Sequence, residues 1–364
     1  MQKNQLKFIF EKRLKALSLF ILLMISIVII KFFYIQIIQH NYFEKKSNNN
    51  SVKVVPIPPA RGIIFDRNKR ILAENKITHN LEIDPSKKID IEKIAKEVNP
   101  FVPITKNDLA QYQRIIKNNY FSSTVPIKTN LTNEEVAKFL TNKYLFNNIS
   151  LKTRLKRHYQ HKELTSHVVG YINRINQKDI KLLTKNKRLS LYRGSDHIGK
   201  RGIEQRYENL IHGIPGFEKI EVDAKGNIIR TLEKKEPIHG QDIQLSIDIE
   251  LQKKAVDAFG DRKGALVALS PHNGEILAYV SQPYFNPNLF VNGIDHKNWN
   301  ILNTNKARPL LDRVTKGLYP PGSTIKPFIA IAGLENNLRV PPFQINDPGF
   351  FTMPNQSKTF RNWK

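Results

Sequence analysis

Ser323 and Lys326 are the residues whose types and spacing could do chemistry. They lie in Tyr319-Pro320-Pro321-Gly322-Ser323-Thr324-Ile325-Lys326-Pro327-Phe328, which holds the only Ser-x-x-Lys of the chain. Residues three apart on a helix share a face, so the lysine amine can reach the serine hydroxyl. A serine is a poor nucleophile until something removes its proton. A lysine can do so only when neutral, and an ordinary one, with a pKa of about 10.4, is neutral in fewer than about one molecule in a thousand at pH 7. Burial and a helix N-terminus both disfavour the ammonium, and the same N-terminus offers N–H groups to an oxyanion. A second local reading stays open, in which Ser323 is an N-cap and Lys326 a solvated side chain.

The elements that must position this pair follow from the flanking residues. Pro320, Pro321 and Gly322 cannot continue a helix and end the preceding segment in a tight turn. Ile325, Phe328, Ile329, Ala332 and Leu334, with Leu338 beyond, recur near helical spacing. They predict a mostly buried helix starting at about Ser323, with Pro327 in its first turn, where a missing N–H costs little.

The 364 residues suggest two or three domains, and 40% hydrophobic content allows real cores. The net charge of +26 invites a nucleic-acid reading. No basic cluster is interleaved with aromatics in a recognisable module, so the excess reads as a solvated surface near anionic lipid or wall polymer. Cysteine is absent, which removes disulfides and thiolate metal sites. His197 and His212 lack a second ligand at metal spacing. Ala16–Ile38 is apolar apart from Lys31 and a few uncharged polar residues, and is long enough to span a bilayer if Lys31 snorkels. Lys3, Lys7, Lys12, Arg13 and Lys15 precede the run and favour a cytoplasmic N-terminus, an asymmetry weakened by Lys45 and Lys46.

Beyond it, Val52–Pro59 reads as an extended leg. Arg61–Ala73 reads as a hairpin about a polar turn, with Asn68 the residue to take a positive φ. Ile91, Ile94, Ala95 and Val98 mark a short amphipathic helix, and Thr132 with Glu135 a capping box. Arg154–Tyr159 reads as a charged solvent face, and Glu204 as an ion-paired carboxylate beside Arg206 and Tyr207. Glu233–Gly240 reads as a domain junction. A strand over Ile243–Asp248, a helix over Ile249–Phe259, and strands Gly264–Ser270 and Glu275–Val280 about an Asn273-Gly274 turn follow it.

Together these segments resemble the class B penicillin-binding proteins, the elongation type foremost, with the division type a close neighbour. The resemblance rests on Tyr319–Pro327, Arg61–Ala73, His167–Ile172 and Gly199–Glu208 and runs from about residue 55 onward. It implies a multidomain α+β fold with a single N-terminal transmembrane helix, a mixed α/β pedestal and the first part of a transpeptidase domain of serine β-lactamase type. The expected bounds are a cytoplasmic tail over 1–15, a span over 16–38, a pedestal over 39–236 and transpeptidase from 237 to 364. By resemblance, Ser323 is the acyl-ester nucleophile and Lys326 its general base in peptidoglycan D,D-transpeptidation. The implied partners are stem peptides and lipid-linked precursors, β-lactams, the elongation glycosyltransferase, rod-shape proteins and the membrane. No cofactor, metal or nucleic acid is implied. The small helices between Asp90 and Leu140 resemble the part of the pedestal on which partners dock. The family's Ser-x-Asn and Lys-Thr-Gly do not occur after Ser323, and Lys358-Thr359-Phe360 is no substitute, so a truncated chain, inactive alone, is expected. A noncatalytic membrane-tethered scaffold is the rival reading. A β-lactamase is disfavoured by the long pedestal, and a multi-span β-lactam sensor by the single span. A reporter active only outside the cytoplasm, fused after about residue 50, is expected to score positive; a signal from the cytoplasm would reverse the orientation.

Overall fold

Alternating and β-branched residues along Ile71–Ile83 and Ile149–Tyr159 suit two long strands, and the computed structural model pairs them directly. It describes residues 2–40, 52–84, 90–118, 124–146, 148–223, 228–338, 342, 344, 346–354 and 357–361. Lys45 and Lys46 lie outside these residues. Two compact units are present, Met1–Thr315 and Lys316–Lys364.

In the first unit, the helix Gln2–Phe33 runs into a wider π-helical turn, Tyr34–Ile38. Leu17–Ile38 has a mean hydropathy of 2.6 and is the one helical stretch, among the described residues, long and apolar enough to cross a membrane. Lys31 Nζ lies 5.4 Å from the centre of the Tyr34 ring.

The strands that follow are β1 (Val52–Ile57), β2 (Ile64–Phe65), β3 (Ile71–Ile83), β4 (Val125–Lys128), β5 (Ile149–Tyr159), β6 (Tyr171–Arg174), β7 (His197–Arg201), β8 (Gly216–Val222), β9 (Ile228–Lys235) and β10 (Ile243–Gln244). The expected extended leg is therefore an edge strand, with Pro56 on the rim of the antiparallel sheet β1-β8-β9, where its missing N–H is tolerated. The main sheet runs β10-β2-β3-β4, and β5 also pairs with β3, from Ala73↔Tyr159 to Ile83↔Ile149. Strand β10 adds parallel to β2 and is only two residues long, shorter than the expected Ile243–Asp248. Asp248 instead caps the helix Ile249–Phe259, accepting from the N–H groups of Glu250 and Leu251. The last two strands of this unit, β11 (Gly264–Leu269) and β12 (Ile276–Gln282), form the expected antiparallel pair. Gln252 of the helix ties to β12, donating to Tyr279 O at 2.8 Å and accepting from Tyr279 N at 2.7 Å.

The long β3–β5 ladder carries one core at each end. At one end Leu81, Ile83, Ile127 and Ile149 pack with Val98, Tyr112 and Phe139 from the helices Ile91–Val98, Lys106–Asn118 and Asn133–Thr141. Asp90 caps the first of these, and Thr132 with Glu135 forms the expected capping box of the third. At the other end Ile64, Leu72, Ala73 and Tyr159 pack with Val169, Ile172, Ile211 and Ile249.

The second core encloses charge. Glu204 is completely buried, and its partners are not Arg206 and Tyr207, which are exposed, but Arg61 and Arg157. Arg61 Nε donates to Glu204 Oε2 at 2.6 Å, and Arg157 Nε to Glu204 Oε1 at 2.7 Å. One turn on, Glu208 accepts from Arg61 Nη2 at 2.6 Å, from Tyr192 OH at 2.9 Å and from Gly199 N at 2.9 Å. The stretch Arg154–Tyr159 is thus no simple solvent face: Arg157 and Tyr159 point inward, because β5 alternates and Glu204 waits on that side. In the hairpin turn, buried Asp66 accepts from Asn68 N and Arg70 N, both at 2.8 Å, and it is Lys69, not Asn68, that takes the positive φ, at 62°. Asp66 Oδ1 has already fixed the Asn68 N–H, which leaves the following residue to close the turn.

Burial alone would raise the Glu204 carboxyl, but Arg61 and Arg157 hold it below its ordinary value. Its contribution to stability is therefore present above the unfolded carboxylate pKa and is lost as pH falls through the lower folded one. Glu204→Ala leaves two guanidinium groups short of a buried partner and should lower the unfolding free energy by about 3–5 kcal/mol in urea titrations of the solubilised protein. A loss under about 1 kcal/mol would mean the network is solvated. His167, edge-on to Phe285 at 5.1 Å, has its pKa lowered to about 4 by burial. The unfolded chain takes up this proton near pH 6.5 and the folded one does not, so stability should fall as pH drops from about 6.5 to about 4. His167→Gln should flatten that slope in urea midpoints measured at pH 7 and pH 5.

Candidate active site

In the second unit Gly322 has φ +55°, in the left-handed region that glycine enters freely. A Cβ there would meet no atom within 4 Å, so the requirement is conformational. Gly322–Ile325 is one 3₁₀ turn, held by Thr324 N donating to Pro321 O at 3.3 Å, with the Thr324 hydroxyl donating to the same oxygen. Lys326 N donates to Ser323 O, and the α-helix Lys326–Glu335 continues from there with Pro327 in its first turn. The helix begins where it was expected, through a tighter first turn.

Neither flanking residue, Pro321 or Ile325, caps with a side chain, and the Ser323 hydroxyl is not a cap of this helix. The N-cap reading is set aside. Ser323 and Lys326 share one exposed turn, and among the described residues no hydrogen bond joins Ser323 Oγ to Lys326 Nζ. The expected burial of the helix is not found: Phe328 is 70% and Ile329 62% exposed, and no residue of Lys326–Glu335 is buried. Among the described residues, the unit Lys316–Lys364 adds only the hairpin β13 (Phe350–Thr352) with β14 (Thr359–Arg361), too little surface to cover an apolar helix. The helix N-terminus, not burial, is what this unit offers the pair. Lys358 and Phe360, the false match to Lys-Thr-Gly, face each other at 5.4 Å beside β14. Among the described residues no group of three or more His, Asp or Glu side chains is placed to hold a metal ion.

The groups that sequence reasoning missed belong to the first unit. Arg157 as a partner of Glu204 carried no local signal, since 47 residues separate them. Arg61 is 143 residues from Glu204. Only the alternation of β5, which puts Arg157 and Tyr159 on one face, pointed inward.

A family model described as "Penicillin-binding Protein dimerisation domain" matches residues 56–245, and one described as "Penicillin binding protein transpeptidase domain" matches residues 264–364. The chain belongs to the penicillin-binding proteins. The Ser323 turn falls inside the transpeptidase match, and the charged core inside the dimerisation match. Among curated members, the peptidoglycan D,D-transpeptidase MrdA of Acinetobacter baumannii is 41% identical over 334 residues, covering 92% of this chain and 49% of that protein. MrdA of Escherichia coli is 35% identical over 356 residues, covering 98% of this chain and 56% of that one. The chain thus spans about half the length of these relatives. The solved complex of PBP2 and MreC from Helicobacter pylori superposes with a TM-score of 0.70 at 29% identity, covering 86% of this chain and 57% of that one. PBP2 of Pseudomonas aeruginosa, solved with WCK 5153, gives a TM-score of 0.54 at 35% identity, covering 85% and 48%.

Proposed function

We propose that this penicillin-binding protein acts in peptidoglycan D,D-transpeptidation during cell elongation, with Ser323 as nucleophile and Lys326 as general base. The observation that carries this is the Ser323–Lys326 pair on one turn at the head of a helix, inside the stretch matched by the transpeptidase family. Lys326 takes the Ser323 proton as Oγ attacks the penultimate D-alanine carbonyl of a stem peptide. N–H groups at the helix N-terminus stabilise the oxyanion. The tetrahedral intermediate collapses to a Ser323 acyl ester, and the terminal D-alanine leaves as its amine takes a proton. The amine of a second stem then attacks the ester, forms the cross-link and returns the proton to Ser323. A β-lactam acylates the same oxygen, but its opened ring stays attached.

The proposed layout is a cytoplasmic tail over 1–15, a single pass over 16–38 in the inner membrane, an extracytoplasmic pedestal over 39–236 and transpeptidase from 237. The positive residues before the span support that orientation. Stem peptides and lipid-linked precursors are the proposed substrates, and the elongation glycosyltransferase and rod-shape proteins the proposed partners. The Helicobacter pylori complex of PBP2 with MreC supports a rod-shape protein among these partners.

Labelled penicillin, applied to the native protein in membranes, is expected to acylate Ser323. Ser323→Ala should abolish labelling, and Lys326→Ala should slow it by about 10²–10⁴ while leaving the hydroxyl in place. A polypeptide limited to residues 1–364 carries no Ser-x-Asn or Lys-Thr-Gly after Ser323 and should not label. Labelling at another serine would overturn the assignment, and equal rates with and without Lys326 would remove its role as base.

A further inference from the structure

The sheet β1-β8-β9 has two unlike ends. At one, Ile57 pairs with Gly216, Ile214 bridges to Ile238, and Ala60 N donates to His239 Nδ1, which ties the sheet to the segment that carries Arg61 and the charged core. At the other, Val52 pairs with Glu221 and Val222 with Ile228. This second end is where the chain arrives from the apolar stretch Leu17–Ile38, with only residues 39–51 between Ile38 and Val52.

Apolar side chains at that second end lack cover. Ile228 is 66%, Ile229 60% and Val54 57% exposed, although Ile220 and Val222 on the neighbouring β8 are buried. By register Ile228 lies on the face of Val222, Val54 lies on the opposite face with Lys219, and Ile229 is the extra residue of a bulge. The apolar groups thus surround the tip of the sheet rather than one flat face, which suits an end that dips into a surface. The charges among them are matched within the sheet: Arg230 Nε meets Glu221 Oε2 at 2.6 Å, and Lys219 pairs with Glu233. Such pairing lowers the cost of bringing these groups to a poorly hydrated boundary. Lys53, exposed beside Val54, adds an amine of the sign that anionic headgroups attract. A further strand is a poor occupant, because bulges at Ile229 and Leu232 and the lysines Lys234 and Lys235 break the regularity of the outer edge of β9.

We propose that this end of the sheet, with Val54, Ile228 and Ile229 foremost, seats in the headgroup region of the same bilayer that holds the span. The first unit then meets the membrane at two places, the helix and the sheet tip, and its tilt is restrained by the second. The inference rests on the span being inserted and draws on no residue of the Ser323 turn, so it stands or falls independently of the proposed chemistry.

The chain has no cysteine, so a single introduced one takes a nitroxide label at that site alone. The test places the labelled full chain, with no other protein, in vesicles of phosphatidylethanolamine and phosphatidylglycerol. Collisions of the label with molecular oxygen, which enters lipid, are compared with collisions with a polar nickel chelate, which stays in water. Ile229→Cys should give an oxygen-to-nickel ratio several times that of Ile77→Cys, a residue 68% exposed in the middle of the β3–β5 ladder. Ile27→Cys, inside the span, marks the ratio of full insertion. These positions are exposed and should tolerate the change; should Ile229→Cys fail to fold, Ile228→Cys serves in its place. A ratio at 229 equal to that at 77 overturns the proposal. Protection at 229 from both probes overturns it in favour of cover by a second copy of the chain. A water-like ratio at 27 removes the span itself and the inference with it, whereas failure at 229 alone removes only the seating of the sheet.

Discussion

A carboxylate buried without any contact with water must be matched, and in this protein the matching of Glu204 organises everything around it. Its two oxygens face two guanidinium groups from strands or turns far apart in sequence. Arg61 brings the start of the hairpin, Arg157 brings β5, and Tyr159 OH reaches the same carboxylate while accepting from Ile172 N at 2.8 Å. Glu208 repeats the arrangement a turn later with Arg61 and Tyr192. Gly199 is part of the same constraint: a Cβ there would lie 2.1 Å from Glu204 O, so β7 can approach only without a side chain. Such a cluster adds little net stability over an apolar core of the same shape, but it admits one arrangement of strands, since each misplacement strands a charge.

Local signals in the chain were legible wherever one element sufficed. The Thr132–Glu135 capping box, the apolar span, the helix Ile249–Phe259 and the pairing of β11 with β12 all follow from periodicity and caps within a couple of dozen residues. What stayed hidden depends on separation. The partner of Glu204 was sought next door, at Arg206, because no sequence pattern marks a contact made across 143 positions. The inward turn of Arg157 was hidden for the same reason, and charge on a strand reads as solvent-facing until its counter-ion is located.

The candidate site divides along the same line. Ser323, Lys326 and the proline-glycine turn ahead of them are a local constellation, and the chain alone places them at the head of a helix. The exposure of that helix is not local. Ile325, Phe328 and Ile329 have core-like character, yet a helix buries such residues only against other elements, and the described residues of Lys316–Lys364 supply one small hairpin. Apolar spacing reports which face wants cover, not what provides it.

The parallel placement of β10 on β2 has a consequence for the order of events in folding. Ile64 and Phe65 meet Ile243 and Gln244, and Ala60 N donates to His239 Nδ1 across 179 positions. A chain synthesised from its N-terminus can pair β2 with β3 at once but must leave the other edge of β2 open until residue 244 has emerged, so closure of this region waits on most of the first unit. The three-helix end, built around Ile83 and Ile149, needs only the residues up to Tyr159 and can form first. High contact order at one end and low at the other predisposes the domain to nucleate far from its charged core, with that core locking last.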